Sequence, residues 1–398
     1  MSGADETRGA GPSPSLAAMA GYFLRLGALG FGGPVALAHA MRRDLVEARG
    51  WLSEREYDDG LAIAAACPGP LAYQLGVYCG YLRHGVLGGL AVAGSFALAP
   101  FVLVVAVAWA YERWSGSWQI QALFYGVAPV VVALIIKACL ALGRKTLRRE
   151  PIAWTFFLAA CAVTVVVQRE LTAIFLAAGA LGVVLLAPPP EEEEKGPPVP
   201  PPVARGALLP AALALPAALP ALAGRIFLFF FKTGLLVFGS GLVIVPFLKT
   251  ALVDQHHWLN DRQFLDAVAI GMISPGPVVI TATFVGFVLD GLLGATAATV
   301  GIFAPAVLLT VLATPLLLRH RANRRLRGFI RGVTVAVVGV LVGTTWLVAR
   351  NALVDPWTAA IGSAALVVLM LWKKVPEPLL VGTGAALGLL AHALGPFS

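Results

Sequence analysis

The tripeptide Pro-Gly-Pro occurs twice, at Pro68-Gly69-Pro70 and at Pro275-Gly276-Pro277, each time in the middle of an apolar stretch. Proline removes a backbone donor and clashes with the preceding helical turn, and glycine adds backbone freedom, so a helix cannot run through either copy. At membrane depth the N–H and C=O groups freed by such a break find no partner in lipid. They are tolerated where they line a cavity enclosed by protein or filled with water. Matching breaks in two halves of a chain point to a transporter's binding site. Simple structural kinks are the alternative, and the match between the two halves argues against them.

Composition agrees with this placement. The chain is 59% apolar and 13% charged, with a mean hydropathy of +0.84, which excludes an ordinary soluble domain and puts most of the chain in lipid. The net charge of +8 is concentrated in a few loops. In a membrane protein that bias reports orientation, so it calls for no nucleic-acid partner. Cys67, Cys79, Cys139 and Cys161 all fall in apolar segments without the spacing of a zinc or disulfide set, and they read as small apolar fillers. Nothing calls for a metal or a cofactor. There is no metal-spaced His/Glu cluster, nucleotide-binding loop or nucleophile with an adjacent base, so an enzyme is not expected.

Residues 1–15 form a polar tail without the order of a signal peptide. A first repeat occupies 16–187. Residues 188–224 form a linker: 188–202 is mostly proline with Glu191 to Glu194 in a block, and 206–224 is an apolar, proline-interrupted segment. A second repeat fills 225–398. Displacing the chain by 207 residues lays Phe23 on Phe230, Gly27 on Gly234, Phe31-Gly32 on Phe238-Gly239, Trp51-Leu52 on Trp258-Leu259 and the two Pro-Gly-Pro motifs on each other. About a third of positions 23–70 are identical without a gap, which marks a duplicated unit. Gly80, Gly85 and Gly88 then match Gly286, Gly291 and Gly294, and Pro100 matches Pro305, after slips of one and two residues.

Loop charge addresses the relative orientation of the repeats, because short cytoplasmic loops carry Lys and Arg. Loop 112–118 is nearly neutral, whereas its counterpart 319–331 holds six arginines. The next pair reverses the bias: 144–149 is basic and 350–355 nearly neutral. Lys373-Lys374 fits the cytoplasmic side of the same scheme. The expected fold is therefore an all-α polytopic membrane protein with two inverted-topology repeats, broken or re-entrant helices, and about 10 to 13 membrane segments. If 60–82 crosses fully, 206–224 must supply an additional crossing and the N-terminus lies inside. If 60–82 is a re-entrant hairpin, each half has five spans and the N-terminus lies outside; the severity of the break favours this count.

Phe31-Gly32-Gly33-Pro34, His39, Arg42-Arg43, Glu47, Trp51-Leu52, Pro68-Gly69-Pro70, Gly80-Tyr81 and Gly85 resemble the signature of the chromate ion transporter family. Phe238-Gly239-Ser240-Gly241, Trp258-Leu259 and Pro275-Gly276-Pro277 resemble its second domain. The likeness covers nearly the whole chain apart from the tail and the linker. It implies a multi-pass protein of the prokaryotic cell inner membrane that exports chromate, coupled to the proton motive force. The second copy departs from the first, with Gly241 for Pro34 and Pro246 for His39, so unequal contributions are expected. A carrier of sulfate or another oxyanion, or a passive anion channel, is the alternative. The partners are a small oxyanion and the lipid bilayer, with a homo-oligomer left open.

A tetrahedral dianion at the midplane needs positive potential without a permanent cage of charges. Helix N-termini supply it, each carrying about half a positive charge on free N–H groups. The helices restarting after Pro70 and Pro277 are the candidate ends. Tyr73, Gln74 and Ser274 are candidate donors, and Gly32, Gly33, Gly239 and Ser240 allow close approach. Arg25 and Lys232 match in the repeat and add formal charge near the cavity, or else cap the lipid interface. Lys137 lies within an apolar span about 10 Å from Arg144, and it either serves function or snorkels. The proton-coupling candidates are Asp59 with Asp266, Glu47 with Asp254, and His39. Ordinary N-capping is the plain alternative for Asp59 and Asp266.

Overall fold

Both halves are built from the same succession of helices. The computed structural model describes residues 14–30, 33–114, 118–147, 150–167, 172–187, 219–239, 245–320, 324–372 and 375–393. In the first half α1 (Leu16–Leu29) is followed by α2 (Gly33–Met41), which runs into a π-helical turn, Arg42–Ala48. Then come α3 (Glu54–Ala66), the two-residue strand β1 (Gly69–Pro70), α4 (Leu71–Trp114), α5 (Trp118–Leu147), α6 (Pro151–Val167) and α7 (Thr172–Leu185). The second half holds α8 (Ala221–Gly234), β2 (Phe238–Gly239), and α9 (Val245–Lys249) with its own π turn, Thr250–Gln255. It ends with α10 (Asp261–Ile273), α11 (Thr281–His320), α12 (Arg324–Ala352), α13 (Pro356–Leu371) and α14 (Glu377–Ala393). The expected all-α fold is thus amended by one small parallel ladder, β1 with β2.

The duplication reaches down to single hydrogen bonds. Ser53 and Glu56 form a capping box that starts α3, and Asn260 and Gln263, 207 residues on, start α10 in the same way. The Trp51 amide donates to the Leu45 carbonyl, and the Trp258 amide to the Leu252 carbonyl. These caps place Asp59 and Asp266 inside their helices. Neither is an N-cap and neither begins the broken segment, as the sequence had allowed.

The interrupted stretch 60–82 is a hairpin. Gly60 lies against Tyr78 and Leu75, so α3 and the first arm of α4 fold back on each other around Pro68-Gly69-Pro70. Arg83, near the far end of that arm, forks onto Glu56 at 3.0 and 2.6 Å and donates from Nε to the Trp51 carbonyl at 2.8 Å. Two collinear arms could not make this contact, because the bonded residues would lie about 40 Å apart at 1.5 Å of rise per residue. The second half folds likewise, with Gly271 against Thr281. Here a 3-10 turn, Val278–Ile280, stands between Pro277 and α11, so the helix does not restart directly after the break.

Each hairpin is followed by a second reversal. Gly85 and Gly291 take φ of 60° and 53°, and the chain turns back so that Gly80 packs on Gly88 and Gly286 on Gly294. The arms that follow, 86–114 and 292–320, cross between the halves. The last two helices of each half pack on the other half. Gly339 and Gly343 of α12 meet Phe157 and Cys161 of α6, and Gly328 and Gly332 meet Gly182 and Ala178 of α7. In return Gly384 and Gly388 of α14 meet Gly126 of α5. Small residues let these backbones approach closely, the usual basis of helix association in lipid.

The interior is apolar, with Phe23, Phe96, Tyr78, Phe227, Phe230 and Phe284 fully buried. Leu98, Val102, Val166 and Val184 stand exposed on the outside, while Trp109, Trp114, Trp118, Trp357 and Trp372 are exposed near helix ends. That distribution fits a hydrocarbon surround with aromatic anchors at its edges. Among the described residues four helices are long and apolar enough to cross a membrane, over Leu71–Trp114, Gln121–Arg144, Thr281–Leu312 and Arg327–Arg350.

The Arg83 clasp yields a prediction. Arg83→Ala leaves the Glu56 carboxylate and the Trp51 carbonyl without their donor and costs about 3 kcal/mol. A lowered unfolding midpoint of the purified protein is expected, and an unchanged midpoint would show that the hairpin does not depend on the clasp.

Candidate anion site at the paired helix breaks

The two breaks are closed by the opposite repeats. Gly69 pairs in register with Phe238 and Pro70 with Gly239. The Gly69 amide donates to the Val237 carbonyl at 2.5 Å, and the Gly276 amide donates to the Gly30 carbonyl at 2.9 Å. Gly30 and Val237 are themselves 207 residues apart, as are the two glycines. Such an exchange, in which the break of one half binds the loop of the other and the reverse, is what a two-fold relation between repeats produces.

Only glycine suits these two positions. Their φ values are 144° and 85°, where L side chains are strained. A Cβ at Gly69 would lie 2.5 Å from Gln74 Cδ and 2.9 Å from the Ala306 methyl, and one at Gly276 would lie 3.1 Å from Pro100 Cγ. Pro100 and Pro305-Ala306 are equivalent points on α4 and α11, so each break rests on the long helix of the other half.

Most of the expected donors are turned onto backbone. Gln74, 0% exposed, donates from Nε2 to the Pro68 carbonyl at 2.7 Å, while its Oε1 is buried without a hydrogen bond. The Tyr73 hydroxyl donates to the Ala93 carbonyl at 3.1 Å, and its ring packs 4.3 Å from that of Phe303. The Ser274 hydroxyl donates to the Gly271 carbonyl at 2.9 Å. Tyr73 and Ser274 therefore do not offer their hydroxyl protons to a ligand in this conformation. For Gln74 the reason is local: a break in an apolar surround leaves a carbonyl that needs a donor, and the nearest side chain supplies it. Thr283 and Thr299 join hydroxyls at 2.6 Å in the same layer.

The remaining candidates are dispersed. Gly33 begins α2 and Gly239 lies in β2, whereas Gly32 and Ser240 lie outside the described residues. Arg25 and Lys232 are exposed on α1 and α8, and Lys137 is half-buried in α5. His39 and Glu47 are exposed, and Asp254 is exposed 3.7 Å from Lys249. Asp59 is half-buried. Asp266 is 1% exposed and accepts a hydrogen bond of 2.7 Å from the Tyr111 hydroxyl, across the repeat boundary.

Sequence reading missed four contacts. Arg42 pairs with Glu54, and Lys249 pairs with Asp261 at 3.3 Å; the same ion pair recurs 207 residues on, and the charge kept at both positions was a usable signal. Arg83 with Glu56, and Tyr111 with Asp266, left no such trace. Leu289 and Gln263 stand where the first pair would recur, and leucines 316–318 where Tyr111 would.

The two hairpins, the exchanged helices and the apolar exterior define a multi-pass membrane protein made of two repeats. A sequence model described as chromate transporter matches residues 17–183 and again 224–389, and the chain belongs to the chromate transporter family, which is a family of transporters and not of enzymes. It is 41% identical over 384 residues to the "Chromate transport protein" of Cupriavidus metallidurans, covering 96% of this chain and 95% of that one. It is 43% identical over 380 residues to the "Probable chromate transport protein" of Synechococcus elongatus, covering 95% and 96%. A "Chromate transport protein" of Pseudomonas aeruginosa is 32% identical over 384 residues, covering 93% and 91%. No solved structure matches the chain.

Gln74→Leu keeps the volume at the first break but strips the Pro68 carbonyl of its donor, a loss of about 1–3 kcal/mol. Faster hydrogen exchange across 67–75 and a lower unfolding midpoint are expected. Unchanged exchange there would mean that the break is held by the cross-repeat ladder alone.

Proposed function

We propose that the protein is a secondary active transporter that exports chromate across the inner membrane, drawing on the proton motive force, with the anion bound at the paired Pro-Gly-Pro breaks. The observation that carries the reading is the reciprocal closure of the two breaks. Irregular backbone at this depth is held by bonds between halves that can move against each other. The relatives named for chromate transport support the substrate. The two glycine amides are taken up by Val237 and Gly30, so a bound oxyanion draws on the first-turn amides of α4 and α11 and on Gln74.

We further read the two repeats, 16–187 and 225–398 joined by 188–224, as inverted. With α3 and the first arm of α4 re-entrant, each half crosses through α1, the long arm of α4, α5, α6 and α7, or their counterparts. That count puts 144–149, 319–331 and 373–374 on the cytoplasmic side together, as their basic charge requires.

Two experiments test this reading. Gly69→Leu and Gly276→Leu are expected to abolish chromate uptake into inverted vesicles while leaving membrane insertion intact; normal uptake by both would remove the breaks from the anion path. The assay with sulfate as competitor, with and without an imposed gradient, separates a chromate carrier from a sulfate carrier or a passive channel. Tags at Gly116 and Asn323, both outside the described residues, are expected on opposite faces, and finding both on one face would rule out inversion.

A further inference from the structure

A cavity of about 440 Å³ opens beside the outer end of the second hairpin, between α10, the start of α5 and the end of α14. Arg262 and Asp266 of α10 line it together with Gln121, Tyr125 and His392. The loop-charge scheme puts this mouth on the external face, since the start of α5, the loop after α12 and the end of α14 all lie there. Asp266 is two turns, about 12 Å, from Ser274 at the break, so the cavity stands over the anion site. We propose that this cavity is the external vestibule of the anion path, and that Arg262 and Asp266 make it bind a tetrahedral oxyanion and a proton together. The inference rests on the chromate-transport reading and adds the sign of its coupling.

The charges decide that sign. Arg262 forms no ion pair among the described residues, but it lies within electrostatic reach of Asp266. Asp261 is matched by Lys249 at 3.3 Å and contributes little net charge. Asp355 receives the Tyr125 hydroxyl and the Thr358 amide. Burial pushes the Asp355 carboxyl up, but these bonds outweigh it and hold it below the ordinary range, so Asp355 stays ionised where Asp266 is to titrate. His392 also lines the mouth, stacked on Trp118 at 5.1 Å, and from α4 the Tyr111 hydroxyl donates to Asp266 at 2.7 Å. With Asp266 ionised, its charge cancels that of Arg262 and repels a dianion. With Asp266 protonated, Arg262 is left as an uncompensated cation. Protonation of Asp266 thus favours anion binding beside Arg262, so in this arrangement proton and anion are bound together and travel the same way. Export then draws on the electrical part of the proton motive force, the membrane potential acting on the net negative charge of the pair, and is opposed by any pH gradient that resists the outward proton.

Equilibrium binding of chromate to the full-length protein in nanodiscs, measured across mildly acid to neutral pH and expressed per concentration of the dianion because chromate itself takes up a proton in this range, tests this. Wild-type affinity is expected to rise as pH falls. Arg262→Gln is expected to weaken binding by about tenfold or more, with Arg262→Lys recovering most of it. Asp266→Asn is expected to hold affinity at its acid level across the range, while His392→Gln keeps the wild-type pH profile. A wild-type pH profile in Asp266→Asn, or wild-type affinity in Arg262→Gln, would overturn the vestibule and leave the transport reading standing. Failure of the wild type to bind chromate at any pH would overturn both.

Discussion

A helix broken inside lipid leaves amides and carbonyls that water cannot reach, and each must be satisfied by protein. This chain answers that constraint by lending each break to the other half. Gly69 binds the carbonyl of Val237, and Gly276 that of Gly30, so the backbone that a single repeat could not satisfy is completed by its duplicate. Neither half can close its own hairpin tip. In this chain the two repeats therefore complete each other.

The rest of the packing follows. α4 and α11 cross between the halves, and each carries a proline level with the partner's break, Pro100 beside Gly276 and Pro305-Ala306 beside Gly69 and Gly234. The outer helix pairs are exchanged as well, α6 and α7 onto α12, and α13 and α14 onto α5, through glycines that bring backbones close. The ladder between the repeats is only two residues per strand, whereas the Arg83 fork ties the first hairpin together as a unit. The two halves differ in this respect, because Leu289 and Gln263 offer no fork in the second.

Much of this was legible in the sequence. The 207-residue offset, the paired tripeptides and the paired Phe-Gly dipeptides could be read directly, because duplication writes the same residues twice. What pairs with what could not be read. A two-residue strand has no period, and its partner lies about 170 residues away, beyond any local pattern. Gly85 and Gly291 were visible as a matched pair, yet nothing local distinguishes a reversal from a tight crossing. The capping boxes at 53–56 and 260–263 were readable, and they displace Asp59 and Asp266 from helix start to helix interior. Arg25 and Lys232 illustrate the opposite failure: their match is real, but both sit on exposed faces of α1 and α8, because a repeat preserves surface positions as well as interior ones.

The central claim is that each break is closed by the opposite repeat, and cross-linking tests it most directly. In a chain whose four native cysteines are replaced, Pro70→Cys and Gly239→Cys fall on neighbouring strands with Cα atoms about 4.8 Å apart, within disulfide reach. Rapid oxidation to an internal disulfide in native membranes is the result expected. Two cysteines that remain free under oxidant, while a control pair on the α3–α4 hairpin closes, would contradict the account.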